Sequence, residues 1–298
     1  MTGQGSLILE KKGHAHSGVY RGILELLARF GYVSVREVMY GWDLDLFTAS
    51  NRLKYLKKAG LIKDFPSTIL PSHFYCLTSK GREAIRHFVI SEELLDFVPS
   101  SFQLIFHKHH FSILKVYLVL QKVFGGRFLG WASERTLRAE EEARQKLTGG
   151  KEKRILDGEL FLDIEKTRFR ADGNGDLEKT GEPSHEQWRC GVEVELSLKS
   201  PERYSKQFKD LASRVYNSVD EHQHYRMILF FYGTTMIHDR LAGHLRSGRY
   251  NFGECVFGLC QIDDLLEHRE TASVERFVGS SSIQVPLSEM SRVKVVVK

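Results

Sequence analysis

The 298 residues include 43 Lys+Arg and 38 Asp+Glu, with 42% hydrophobic and 27% charged positions. These fractions exclude a disordered or collagenous chain and leave enough residues for two modules with real cores. No apolar run is long enough for a membrane span, Met1 to Leu7 form no apolar signal segment, and Cys76, Cys190, Cys255 and Cys260 lack C-x-x-C spacing. The expectation is therefore a cytoplasmic protein with free buried thiols and no membrane partner.

The positive charge is concentrated at one end. Residues 1–90 hold 13 Lys+Arg and 7 Asp+Glu, a local charge of +6, and the remainder is nearly balanced. Within this stretch, Val19, Ile23, Leu26 and Leu27 form a helical stripe. Ser34, with Glu37 three residues on, opens a short second helix as a capping box. A third helix runs from Phe47 and is stopped at Gly60, after a turn around Gly41 to Asp45. Leu61 to Lys63 and His73 to Leu77 read as paired strands around a proline-bearing loop. Three helices followed by a two-stranded wing is the order of a winged helix-turn-helix, and it points to double-stranded DNA as the partner. On the third helix Ser50, Asn51, Lys54, Lys57 and Lys58 lie away from Leu53, Leu56 and Ala59. Asn51 has the chemistry to read an adenine edge and the lysines that to hold phosphates. The same fold also serves for protein docking or for a homodimer that reads paired half-sites.

Residues 91–126 form a connecting region dominated by the apolar helix Phe102 to Phe124, read as a buried connecting or dimerising element. His107, His109 and His110 lie in it with no cysteine or carboxylate close in sequence, so they read as interface histidines rather than zinc ligands. Beyond it, residues 127–270 alternate strand and helix as an α/β layer requires, and 271–298 form a tail able to add an edge strand or bind a partner.

The chemistry is concentrated in three short motifs. In Trp131-Ala-Ser-Glu-Arg-Thr-Leu-Arg138, Ser133 is placed to cap a helix carrying Glu134 in its first turn. In Arg154-Ile-Leu-Asp-Gly-Glu-Leu-Phe-Leu162, Asp157 and Gly158 interrupt a short apolar strand. In Cys190-Gly-Val-Glu-Val-Glu-Leu-Ser-Leu-Lys199, alternation puts Val192, Val194, Leu196 and Leu198 on one face and Glu193, Glu195, Ser197 and Lys199 on the other. Two carboxylates side by side on a strand repel, which a bound cation or a solvated face relieves. A helix begins at Pro201, and Tyr225 to Tyr232, Thr234 to Leu245 and Glu254 to Cys260 follow as strand, helix and strand. Asp172-Gly-Asn-Gly-Asp176 lacks the pattern of a calcium loop and reads as a polar hairpin or a disordered insertion.

The three motifs together resemble the PD-(D/E)XK nuclease superfamily, and with the preceding winged helix they resemble most the plasmid replication-relaxation family. The resemblance implies a mixed sheet flanked by helices that cuts DNA phosphodiesters on behalf of a mobile genetic element. It implies Glu134, Asp157, Glu193, Glu195 and Lys199 as catalytic residues, with Asp157, Glu193 and Glu195 holding Mg²⁺ or Mn²⁺. It further implies a plasmid- or nucleoid-associated location and other mobile-element proteins as partners. One position departs from the pattern: the residue two after Glu193 is Glu195, where the commonest form has lysine. Lys199, about 13 Å from Glu193 at the usual strand rise, and Lys206 on the following helix are the candidate replacements. The departure leaves two functions open, a metal-dependent endonuclease and a catalytically silent DNA-binding regulator that keeps the scaffold for dimerisation and duplex contact.

Overall fold

The computed structural model describes residues 14–65, 74–86, 104–149, 154–171, 177–216 and 225–297. Two compact units emerge, one from residues 1–115 and 135–153, the other from 116–134 and 154–298. The boundaries fall inside the helix Leu104–Phe124 and after the first residue of the helix Glu134–Thr148.

In the first unit, α1 (His14–Phe30) buries Ile23, Leu26 and Leu27, as its stripe requires. β1 (Val33–Ser34) leads into α2 (Val35–Trp42), where Ser34 and Glu37 close the expected capping box. Asp43 in the left-handed conformation ends α2, and Asp45 caps α3 (Leu46–Lys58) by accepting from the Thr48 amide at 2.8 Å. Gly60, at φ 71°, then lets the Leu61 amide reach back to the Leu56 carbonyl at 3.0 Å, which stops the helix where its glycine predicts. β2 (Ile62–Phe65) and β3 (Phe74–Leu77) pair antiparallel, and β1 joins them in a three-stranded sheet of order β1-β3-β2. The proline-bearing loop between β2 and β3 lies outside the described residues. α4 (Ser79–Ile85) follows, capped by Thr78. From α5 (Leu104–Phe124), His110 stacks on Tyr32 with ring centroids 4.4 Å apart, an aromatic packing role.

The second unit is a mixed sheet flanked by helices. β4 (Phe128–Ser133) runs into α6 (Glu134–Thr148), and β5 (Gly158–Ala171), β6 (Leu177–Lys179) and β7 (Ser184–Glu195) follow as antiparallel strands. The Asp172 to Asp176 segment between β5 and β6 lies outside the described residues. α7 (Pro201–Tyr216), β8 (Met227–Tyr232), α8 (Thr235–Arg246), β9 (Val256–Gln261) and α9 (Ile262–His268) complete two β-α-β crossovers with β7, β8 and β9 parallel. Two consecutive crossovers of the usual right-handed kind put α7 and α8 on one face of the sheet. β10 (Ser273–Val278) and β11 (Ser281–Pro286) extend the sheet beyond β9, giving the order β11-β10-β9-β8-β7-β5. β4 and β12 (Arg292–Val297) share the far edge of β5, β4 at its start and β12 along Glu165 to Arg170. Residues 271–298, read from the sequence as a tail able to add an edge strand, therefore supply three strands of the sheet, β10 and β11 at one side and β12 at the other.

Two strands differ in extent from the sequence reading. β5 is 14 residues long rather than short, because its second half finds β6 and β12 as partners. β7 begins at Ser184 and ends at Glu195 rather than running to Lys199, since β8 ends opposite it at Tyr232 and the chain then turns toward Pro201. Leu198, expected on the apolar face, is consequently 45% exposed. All four cysteines are free and buried. Among the described residues no helix is long and apolar enough to cross a membrane.

Candidate functional site

The strand ends gather the acidic motifs. Ser133 pairs with Gly158, and Gly158 pairs with Val192. The next position outward on each chain is Glu134, Asp157 and Glu193, so three carboxylate residues follow one another across β4, β5 and β7. This edge of the sheet also carries the carboxyl ends of β8 and β9, the side on which open α/β sheets bind ligands. Gly158 permits the approach: a Cβ there would lie 2.1 Å from a carbon of the Trp131 ring, so only glycine lets Trp131 pack across the start of β5.

Glu193 and Glu195 point toward the face covered by α7, for Phe230, the register partner of Glu193, stacks on Phe208 of that helix. Both glutamates are 2% exposed. A charged carboxylate so buried needs a partner, and each has one. The Arg154 guanidinium donates to both oxygens of Glu193 at 3.0 Å. The Lys199 ammonium donates to Glu195 Oε1, and the Gln207 amide donates to the same oxygen at 3.1 Å. Lys199 is therefore not the distant group that an extended strand would make it. The turn after Glu195 swings it back, so that its ammonium rests on the Glu195 carboxylate. Lys206, the other candidate replacement, is exposed on α7. Asp157, half-buried, accepts the Val194 backbone N–H at 2.7 Å, which ties the start of β5 to the end of β7.

The charge of the cluster is not fully compensated. Burial first, and the neighbouring Asp157 and Glu195 charges with it, push the Glu193 carboxyl up to about 8 against the pull of Arg154 and Lys199. Oxygen donors with excess negative charge have the right chemistry for a hard cation such as Mg²⁺ or Mn²⁺. Their present directions are not those of a closed coordination shell. Among the described residues no group of three His, Cys, Asp or Glu is disposed to hold a metal ion, and Arg154 takes both Glu193 oxygens. The fit is one of donor type and charge, and Arg154 is the competitor for Glu193.

Arg154 enters the sequence reading only as the first residue of its motif, with no role, and Gln207 does not enter it. Gln207 had a signal: it lies in the buried stripe of α7 formed by Tyr204, Phe208 and Leu211, where a polar residue demands a polar partner. Arg154 gave none beyond its place three residues before Asp157. A third buried carboxylate on the same strand pair, Glu159, is satisfied by Arg189 at 2.6 Å and by the Tyr225 hydroxyl, and so belongs to the core.

In the first unit, α3 exposes Asn51, Lys54, Lys57 and Lys58, while Ser50 is half-buried and Ala49, Leu53 and Leu56 are buried. Lys57 is engaged by Asp64 of β2. Leu46 and Phe47, at the start of the helix, are also exposed, Phe47 by 77%. The outward face of α3 thus combines an amide, cations and an aromatic ring.

No protein-family model, curated protein or solved structure matches the chain.

Proposed function

We propose that the chain is a DNA-binding protein of a mobile genetic element, built as a winged helix followed by a PD-(D/E)XK-like phosphodiesterase domain of the plasmid replication-relaxation type. The observation that carries the reading is the row Glu134, Asp157, Glu193 across adjacent strand ends, with the Lys199 ammonium on Glu195. Mg²⁺ or Mn²⁺, held by Asp157, Glu193 and Glu195, would supply an acidified water and neutralise charge at the phosphate. Lys199 brings the cation that the usual lysine provides, and Gln207 fixes the Glu195 carboxylate as ligand or general base. Glu134 stands at the edge of the row, in the first turn of α6. In the first unit, α3 enters the major groove, with Asn51 on a base edge and Ser50, Lys54, Lys57 and Lys58 toward the backbone. A homodimer reading paired half-sites, at the nucleoid or a plasmid, completes the proposal.

A second reading rests on one observation: Arg154 already satisfies Glu193 bidentately, as a structural ion pair does. On that reading the scaffold is a silent DNA-binding regulator. Calorimetric titration of Mn²⁺ and Mg²⁺ into the protein and into Glu193→Ala, with supercoiled DNA incubated alongside, separates the two. Metal binding and nicking that both vanish in the variant support the nuclease. Salt-sensitive DNA binding without metal binding supports the regulator. Asn51→Ala is expected to relax sequence preference, and Lys54→Ala to lower the salt slope of affinity by about 1. Absence of any DNA binding refutes both readings.

A further inference from the structure

A groove of about 520 Å³ runs between α7 and α8, wholly within the second unit. Its walls combine two kinds of group, exposed apolar side chains and cations. Met236 is 65% exposed and Leu198 45% exposed, both at the groove. Beside them stand Arg240 and Arg249, neither of which forms an ion pair among the described residues. Their charges converge: the His244 ring, on the groove wall, is held below its ordinary protonation range first by burial and then by Arg240 and Arg249. Two carboxylates lie near. Asp239 turns to the His238 ring at 3.1 Å, and Glu202 is engaged first by the Ser200 hydroxyl and feels Arg240 more weakly. Gly243 leaves the floor open, since a Cβ there would meet nothing within 4 Å. Leu198 and Pro201, which line the groove, bracket Lys199, whose ammonium rests on Glu195.

We infer that this groove is the track of a nucleic-acid strand leading to the carboxylate row, with phosphates on Arg240 and Arg249 and a base or sugar against Met236 and Leu198. An alternation of anion and flat apolar surface is the chemistry of a polynucleotide. An acidic peptide can offer both charge and apolar side chains, but it has no reason to end at a phosphodiester site. The inference rests on the proposed DNA-binding function and adds a contact surface far in sequence from α3.

The test compares fluorescein-labelled duplex and single strand of one sequence, by anisotropy over a range of salt, with the full-length protein, Arg240→Gln/Arg249→Gln, Met236→Ala and Lys54→Gln/Lys58→Gln. The side chains replaced in the groove are exposed, and thermal melting by circular dichroism checks that the fold is retained. Loss of two phosphate contacts is expected to lower the slope of log K against log salt by about 1.8 for duplex and to weaken binding about tenfold or more at low salt. Met236→Ala is expected to weaken binding with the salt slope unchanged. Wild-type affinity and slope in the groove variants, with loss in the α3 variant, overturn the groove and leave DNA binding standing. No binding by the wild type overturns both. Impaired binding of polyglutamate, with DNA binding intact, reassigns the groove to an acidic protein partner and overturns the inference.

Discussion

Replacing Glu193 by glutamine tests whether the cluster carries excess negative charge. The carboxyl is 2% exposed, and its proton is held up to about pH 8 by burial and by Asp157 and Glu195, from an ordinary value of 4.5. The folded protein thus binds this proton more tightly than the unfolded chain does. The stability contributed by the group is complete below about pH 4.5 and is lost as pH rises toward about 8. At 1.36 kcal/mol per pH unit, the interval amounts to about 5 kcal/mol as an upper figure. Glutamine keeps the shape and does not titrate. Near pH 5 Glu193 is mostly protonated in the fold, so the substitution is nearly neutral there. By pH 8 the variant is expected to be the more stable, by less than the full figure because one charge-assisted arm of the Arg154 pair, worth about 1.5–3 kcal/mol, is lost. Urea denaturation in EDTA across this range measures the difference directly. If wild type and Glu193→Gln lose stability with the same slope between pH 5 and 8, Glu193 does not bear the charge assigned to it.

Other substitutions probe the supports of the site. Gly158→Ala places a Cβ 2.1 Å from the Trp131 ring, and overpacking of about 1–3 kcal/mol should appear as a lower urea midpoint; an unchanged midpoint would show that the ring is free to move aside. Gln207→Leu keeps the buried volume but removes the amide from Glu195, and a loss of about 1–3 kcal/mol is expected in the same assay. Neutral stability in that variant would mean that Lys199 alone satisfies the carboxylate. Ser34→Ala breaks the capping box of α2, where the Ser34 hydroxyl donates to Glu37 at 2.5 Å and accepts from the Arg36 amide at 3.2 Å. It should cost about 1–2 kcal/mol and speed amide exchange in the first turn of α2; protection equal to wild type would remove the cap from the account of this helix.

Whatever depends on neighbours in the chain was written in the sequence. The Ser34–Glu37 cap, the Gly60 stop, the stripe of α1, the start of α6 at Glu134 and the start of α7 at Pro201 are short-range steric and hydrogen-bonding choices, so a few consecutive residues determine them. The three acidic motifs could likewise be singled out as a candidate site, because residue type and spacing are themselves local features. Their company could not be read that way. Arg154 meets Glu193 across 39 positions, and Arg292 to Val297 pair with β5 more than a hundred residues upstream. Even the four-residue step from Glu195 to Lys199 reads as a strand by alternation until the end of β8 and the turn toward α7 take it out of the sheet. Only the tertiary structure decides which cation neutralises which carboxylate, because that choice follows burial and strand register, and both arise from contacts that local pattern does not contain.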